Sequence, residues 1–199
     1  MRPPRSGCSS TSWLLNSRPL PRAATLLACR SSSSPGPRGS GSRQSPGSSP
    51  RAVHLESDVF FRFVRSGYVE PWKPESHEQN RVVMSIVAQA AAGYAAAGYE
   101  TIVDGILIPG WFLEPLADSL RDAGHTVACA VLRAPLATCV ARVQGREGVP
   151  LEASAIEQLC RSFADLGGYE RNAIELDGEG PEEVADLVSR RLAGGQLAI

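Results

Sequence analysis

Thr101-Ile102-Val103-Asp104-Gly105-Ile106-Leu107-Ile108 is an apolar octet broken only by Asp104-Gly105. That pattern predicts a strand buried on both faces. Such a strand needs helices above and below it, so the flanking sequence should alternate strands with helices, and it does. Upstream, 52–55 reads as a strand ending in Glu56-Ser57-Asp58 and 59–65 as a helical segment. Beyond the loop Gly67 to Glu75, Ser76 and Gln79 have the spacing of a capping box for a helix that runs to about Ala97 and stops at Gly98. Downstream come a helix over 111–123 closed by Gly124, a strand over 126–132, and a helix over 136–145 behind Pro135. A helix over 151–166, a short strand over 173–176 and an amphipathic helix over 181–192, ended by Gly194-Gly195, complete the series. The expected class is α/β, a three-layer parallel sheet flanked by helices.

The 199 residues carry 20 Lys plus Arg against 21 Asp plus Glu and are 43% hydrophobic, which excludes collagen-like, disulfide-dense and strongly basic proteins. The totals hide an asymmetry. Every acidic residue lies at or beyond Glu56, whereas the first 55 residues hold eight Arg, no Lys and long runs of Ser, Pro and Gly. Residues 1–50 therefore read as a disordered tail, or as a transit peptide, ahead of a domain over 51–194 and a tail over 195–199. Two short apolar stretches, 13–15 and 23–29, do not decide between these. Five cysteines at irregular spacing make no metal-ligand pattern and are expected as free thiols in a reducing compartment. No apolar run reaches the ~20 residues that span a bilayer. A cytoplasmic protein with no membrane or nucleic-acid partner is expected, because the basic residues concentrate in the first quarter while the domain is acidic.

In an open α/β sheet, ligands bind beyond the carboxyl ends of the strands. Three strand ends bring polar groups there: Glu56-Ser57-Asp58, Asp104 and Arg133. A strand-end Asp is more often a helix cap than a catalyst, so the convergence carries more than any one residue. Arg142 and Arg146, four apart, would share a helix face suited to phosphate oxygens, although an isolated pair of this kind is usually a solvated face. The stretch Ser66-Gly67-Tyr68-Val69-Glu70-Pro71-Trp72-Lys73-Pro74-Glu75-Ser76-His77-Glu78-Gln79-Asn80-Arg81 packs more aromatic and charged chemistry into one connection than a structural loop needs.

Together these segments, with Val103-Asp104-Gly105-Ile106 and Phe163-Ala164-Asp165-Leu166-Gly167, resemble P-loop kinase-like AAA family ATPases of the zeta-toxin and chloramphenicol-phosphotransferase group, over roughly residues 51–193. The resemblance implies ATP and Mg2+ as cofactors and a small-molecule acceptor. Asp58 would deprotonate or orient the acceptor hydroxyl, Arg142 and Arg146 would stabilise the transferred group, and Arg133 would help hold the nucleotide. Tyr68, Trp72, His77 and Arg81 would line the acceptor pocket, and Asp104 would hold magnesium through water. For Trp72 and His77, packing and capping are equally plausible roles, and for Asp104 a buried cap is the plainer one.

What such a family needs first is G-x-x-x-x-G-K-[ST] between a strand and a helix. This chain offers Gly36-Pro37-Arg38-Gly39-Ser40-Gly41-Ser42-Arg43, with Ser42 where lysine belongs and Arg43 where Ser or Thr belongs. The only lysine in the chain is Lys73. Gly36, Gly39, Gly41 and Ser42 keep the spacing of a cofactor loop, but Pro46 and Gly47 make a poor helix of residues 44–50. Ser42 to Asp58 is also short, at 16 positions, for a full helix and loop.

Shifting the reading frame by one base from Pro35 lets the same codons spell Gly-(Ala or Pro)-Pro-Gly-Val-Gly-Lys-Ser-Thr-(Val or Ile)-Ala-Arg, and lets Ser31 to Ser34 spell an apolar strand. Residues before about 50 are thus expected to be a frame-shifted or lost Walker segment, with the N-terminal strand and phosphate-loop helix missing or disordered. Two other readings stand beside the phosphotransferase: a non-catalytic α/β binding protein that no longer binds ATP, and a nucleotide hydrolase without a specific acceptor.

Overall fold

The computed structural model describes residues 24–31, 51–139 and 153–199. In chain order its elements are β1 (Ala24–Ser31), β2 (Ala52–Glu56), α1 (Ser57–Phe61), α2 (His77–Ala96), β3 (Glu100–Gly105), α3 (Leu113–Asp122), β4 (His125–Arg133), α4 (Ala153–Ser162), β5 (Ala173–Glu175) and α5 (Pro181–Ala193). Short 3-10 turns cover Pro74–Ser76 and Gly167–Asn172, and a helical turn begins at 136.

The expectation for the Thr101 octet holds: β3 is buried along its whole length. The sheet has five strands in the order β2-β3-β1-β4-β5. β2 pairs parallel to β3 and β4 pairs parallel to β5, whereas β1 runs antiparallel to both β3 and β4. Four strands therefore share one direction and the central one opposes them. One face is covered by α2 and α3, whose Val83, Val87, Ala91, Leu113, Leu116 and Leu120 pack on Leu27, Val103 and Val131. The other carries α5, with Val184 and Val188 against Leu26, Ile102 and Leu132.

The expectation of a missing N-terminal strand is corrected here. Ala24-Thr25-Leu26-Leu27-Ala28-Cys29-Arg30-Ser31 fills the middle of the sheet, with Leu27 fully buried and Cys29 nearly so. The physical reason is that a central position needs an apolar strand that satisfies both neighbours' backbone groups, and an antiparallel ladder does this as well as a parallel one. A sequence boundary drawn at residue 50 from composition therefore leaves out a strand of the core. The far end departs from expectation too. Residues 195–199, expected as a tail, contribute buried Leu197, whose carbonyl accepts from the Cys129 amide (2.8 Å), while the Ile199 amide donates to the Val127 carbonyl (3.2 Å).

Two smaller differences concern the loop ahead of α2. Helix α1 starts earlier and is shorter than the expected 59–65 segment. The capping box is absent: Ser76 makes no side-chain cap, and Gln79 reaches back to Val69 instead. Gly98 and Gly124 do close their helices in the left-handed region, at φ 82° and 81°. Among the described residues no helix is long and apolar enough to cross a membrane, and Cys29, Cys129, Cys139 and Cys160 are free thiols.

Candidate functional site

The carboxyl edge of β2 and β3 is built around a glycine. Glu56 lies beside Asp104 in the parallel register, and the chain then turns into α1 through buried Ser57. A Cβ on Gly105 would lie 2.0 Å from the Ser57 hydroxyl oxygen, so α1 can start this close to β3 only because position 105 has no side chain. This contact sets where the next residue, Asp58, sits. Asp58 occupies the exposed first turn of α1, where its negative charge suits the helix N-terminus.

The loop between α1 and α2 is tied down by buried or half-buried polar side chains at the start of α2. Gln79 holds Val69 from both sides, accepting from its amide (2.9 Å) and donating to its carbonyl (2.6 Å). Asn80, fully buried, donates to the Pro71 carbonyl and to the Ser76 hydroxyl, both at 2.8 Å, and Ser76 donates to the Lys73 carbonyl (2.7 Å). With its backbone held in this way, the loop leaves Tyr68 and Trp72 about half exposed. Burial, then the charges of Glu70 and Asp58, push the Tyr68 phenol above the usual tyrosine range.

Other predicted residues are placed differently. Lys73 pairs with Glu70 (2.9 Å), which raises the lysine and lowers the glutamate from their usual ranges. Arg81 pairs with Glu78 (2.6 Å) on an exposed face of α2, and His77 is the exposed first residue of that helix. The structure does not gather these two with Tyr68 and Trp72: the Arg81 guanidinium is engaged within its own helix, and the His77 side chain faces solvent. Arg133 does stand at the carboxyl end of β4, but its guanidinium donates to Glu170 and Glu175 and to the carbonyls of Phe163 (3.2 Å) and Ala164 (3.3 Å). These partners hold it in its protonated form and tie the segment after α4 to β4 and β5.

Asp104 is buried, with one carboxylate oxygen 3.4 Å from His54 Nε2 and the other without a hydrogen-bond partner among the described residues. No group of three His, Cys, Asp or Glu side chains able to hold a metal ion occurs among the described residues. Gly36, Gly39, Gly41, Ser42, Arg142 and Arg146 lie outside the described residues.

Sequence reasoning missed Gln79 and Asn80 as loop clamps, His54 beside Asp104, and the Glu170–Arg133–Glu175 network. Only His54 left a signal, as a polar residue in an otherwise apolar strand, two positions from Glu56.

A five-stranded, mostly parallel α/β sheet flanked by helices is the architecture of P-loop nucleotide-binding domains of kinase and ATPase type. The family model described as AAA domain matches residues 36–166, more than half of the chain, and the chain belongs to that family. No match is found among curated proteins.

Domains of this class bind a nucleotide with Mg2+ at the carboxyl edge, through a glycine loop that leaves the central strand there and opens a helix. The described residues do not fit that group. Thr25 stands opposite Gly105 and Ser31 opposite His125, so β1 enters at the carboxyl edge and leaves at the opposite one. Ser31, the last residue of β1, thus stands at the end of the sheet away from Asp58. The one lysine is held by Glu70, and the strand-end arginine by two glutamates.

Proposed function

We propose that this domain has the frame of a phosphotransferase directed at a hydroxyl of a small molecule, that its acceptor half is complete, and that the chain as written does not engage ATP. In the acceptor half, the Asp58 carboxylate takes the proton of the acceptor hydroxyl, and Tyr68 and Trp72 contact the rest of the molecule. The clamped loop supports this reading, because ordering an aromatic-rich connection with three polar side chains is worthwhile mainly where a ligand must be positioned. Arg142 and Arg146 would act on the transferred group in an active relative, and Asp104 would orient magnesium there.

The observation that carries the nucleotide part is the reversed polarity of β1. A phosphate loop works by aiming successive backbone N–H groups and a helix dipole at the ligand, and both depend on chain direction. An inverted strand preserves burial while removing that aim. A displaced reading frame ahead of residue 50 accounts for the same disagreement at the level of the gene.

The test is Mg-ATP binding by calorimetry, comparing the chain as written with a version carrying a Gly-Lys-Ser-Thr loop restored from the shifted frame. The restored version should bind at least ~100-fold more tightly, and equal binding by the two would overturn the proposal. Sequencing the coding DNA gives an independent check, since codons at 41–44 that cannot yield Lys-Ser-Thr in the shifted frame exclude the frame displacement.

A further inference from the structure

We infer that the outward face of α2 is a contact between two copies of this chain, paired antiparallel near Gln89. Helix α2 has 20 residues, and no charged residue stands between Arg81 and Glu100. Its inner face, with Val83, Val87, Ala91 and Ala95, fills the core. The outer face of such a helix is ordinarily polar and charged. Here the exposed positions Val82, Ile86, Gln89, Gly93 and Ala96 follow one another at steps of four, three, four and three residues, the a/d spacing of a helix seam that packs on another helix. Val82 is 42% exposed and Ile86 48%.

Gly93 is a second, independent observation. A glycine inside a helix costs stability relative to alanine, yet a Cβ at this position would meet nothing within 4 Å. Packing within the chain has no use for the gap, whereas a helix approaching from outside comes closer where side chains are smallest.

The seam is its own complement. In an antiparallel pair the Val82 and Ile86 half of each copy lies on the Gly93 and Ala96 half of the other, large side chains against small. Gln89 falls near the two-fold axis, where an amide both donates to and accepts from its counterpart. The charges stand at the ends: Glu78, four residues before Val82 and paired with Arg81, and at the far end Arg51, which donates to the Ala97 carbonyl (3.0 Å) and lies 4.4 Å from the centre of the Tyr99 ring. Antiparallel pairing sets Glu78 of one copy toward Arg51 of the other and opposes the two helix dipoles. A helix about 30 Å long and about 10–12 Å wide buries on the order of 900 Å² in total across such a pair, the size of a weak, reversible dimer rather than an obligate one.

The test is sedimentation equilibrium of the full chain from ~1 to ~500 μM, where a monomer–dimer equilibrium with a Kd of about 10–100 μM is expected. Ile86→Glu should weaken it at least ~20-fold and leave the thermal melt of the dilute chain unchanged, because the side chain is exposed. Gly93→Leu should weaken the dimer comparably and raise that melt, since leucine is the better helix former. Arg51→Glu and Glu78→Arg should each weaken pairing about threefold, and together restore it. Gln89→Cys should link to itself through a short bis-maleimide above the level of the unmodified chain, and Val82→Cys should not.

A chain that stays monomeric at ~500 μM, a dimer indifferent to Ile86→Glu or Gly93→Leu, no rescue by the charge exchange, or self-linking at Val82→Cys in place of Gln89→Cys would each overturn the inference. So would adsorption of the monomer to phosphatidylcholine–phosphatidylglycerol vesicles that Ile86→Glu abolishes, which would make the same face a membrane surface. The inference is independent of the acceptor reading, because association is measured without nucleotide or acceptor and the restored loop is tested without reference to association.

Discussion

β1 and the loop before α2 put opposite demands on sequence. The strand is central, with Thr25, Leu26, Leu27 and Cys29 buried, and it runs against its four companions. The loop is polar, aromatic and exposed, yet it is held by specific hydrogen bonds from Gln79, Asn80 and Ser76. Burial is indifferent to chain direction, since apolar area removed from water contributes equally either way. Phosphate and proton chemistry is not indifferent, because it depends on where particular N–H groups and carboxylates point. A sheet can therefore stay closed at its centre whichever way its central strand runs, while the chemistry at its edges depends on that direction.

The largest test of that contrast is Leu27→Ala. Leu27 is fully buried in β1, between β3 and β4, against the layer formed by α2 and α3. Loss of its side chain should cost ~2–5 kcal/mol in urea unfolding. A cost under ~0.5 kcal/mol, as for a surface change, would mean that β1 is not the centre of the sheet.

Gly105→Ala probes the other region. The added carbon would fall on the Ser57 hydroxyl oxygen, so either α1 shifts or β3 does, at about 1–3 kcal/mol. The informative readout is double: stability falls, and binding at the Asp58 edge falls further than stability alone predicts. The double variant with Ser57→Gly should recover most of the stability. An Ala at 105 with no effect would separate the strand end from the placement of Asp58.

The smallest effect is a pH dependence located in β1 and its neighbour. Burial pushes the Cys29 thiol up to about 11 and the Cys129 thiol up to about 12. An unfolded thiol loses its proton near 9, whereas these keep theirs, so unfolding above pH ~9 releases protons and stability falls with rising pH. Between pH 9 and 11 the unfolding midpoint should decline through these two groups, and below 9 they should contribute no slope. Thiol labelling read by peptide mapping at pH ~8 should modify both far more slowly in the folded chain than in urea. Rapid labelling of Cys29 would detach β1 from the core.

Much of the sheet was legible in the sequence because strands buried on both faces announce themselves as apolar runs: β2, β3, β4 and β5, with α2, α3 and α4, stand within a few residues of expectation, while the helix expected over 136–145 lies beyond 139 outside the described residues. β1 was not, because a short apolar run inside an Arg- and Ser-rich quarter carries no mark of its partner strands. The exposed aromatics Tyr68 and Trp72 were legible as chemical density in one loop. The engagement of Arg133 by Glu170 and Glu175 was not, since ion pairs across elements leave no periodic trace, whereas Lys73–Glu70 and Arg81–Glu78 stand three residues apart in the sequence.

The sequence by itself determined the layer architecture, the acids at the strand ends and the lack of a lysine in the glycine stretch, because composition and hydrophobic period are local properties of the chain. Only the tertiary structure decided which apolar segment fills the centre, in which direction it runs, and that Arg133 is held by Glu170 and Glu175. Those outcomes depend on competition among distant segments for the same buried slot and the same carboxylates, and no local pattern encodes that competition.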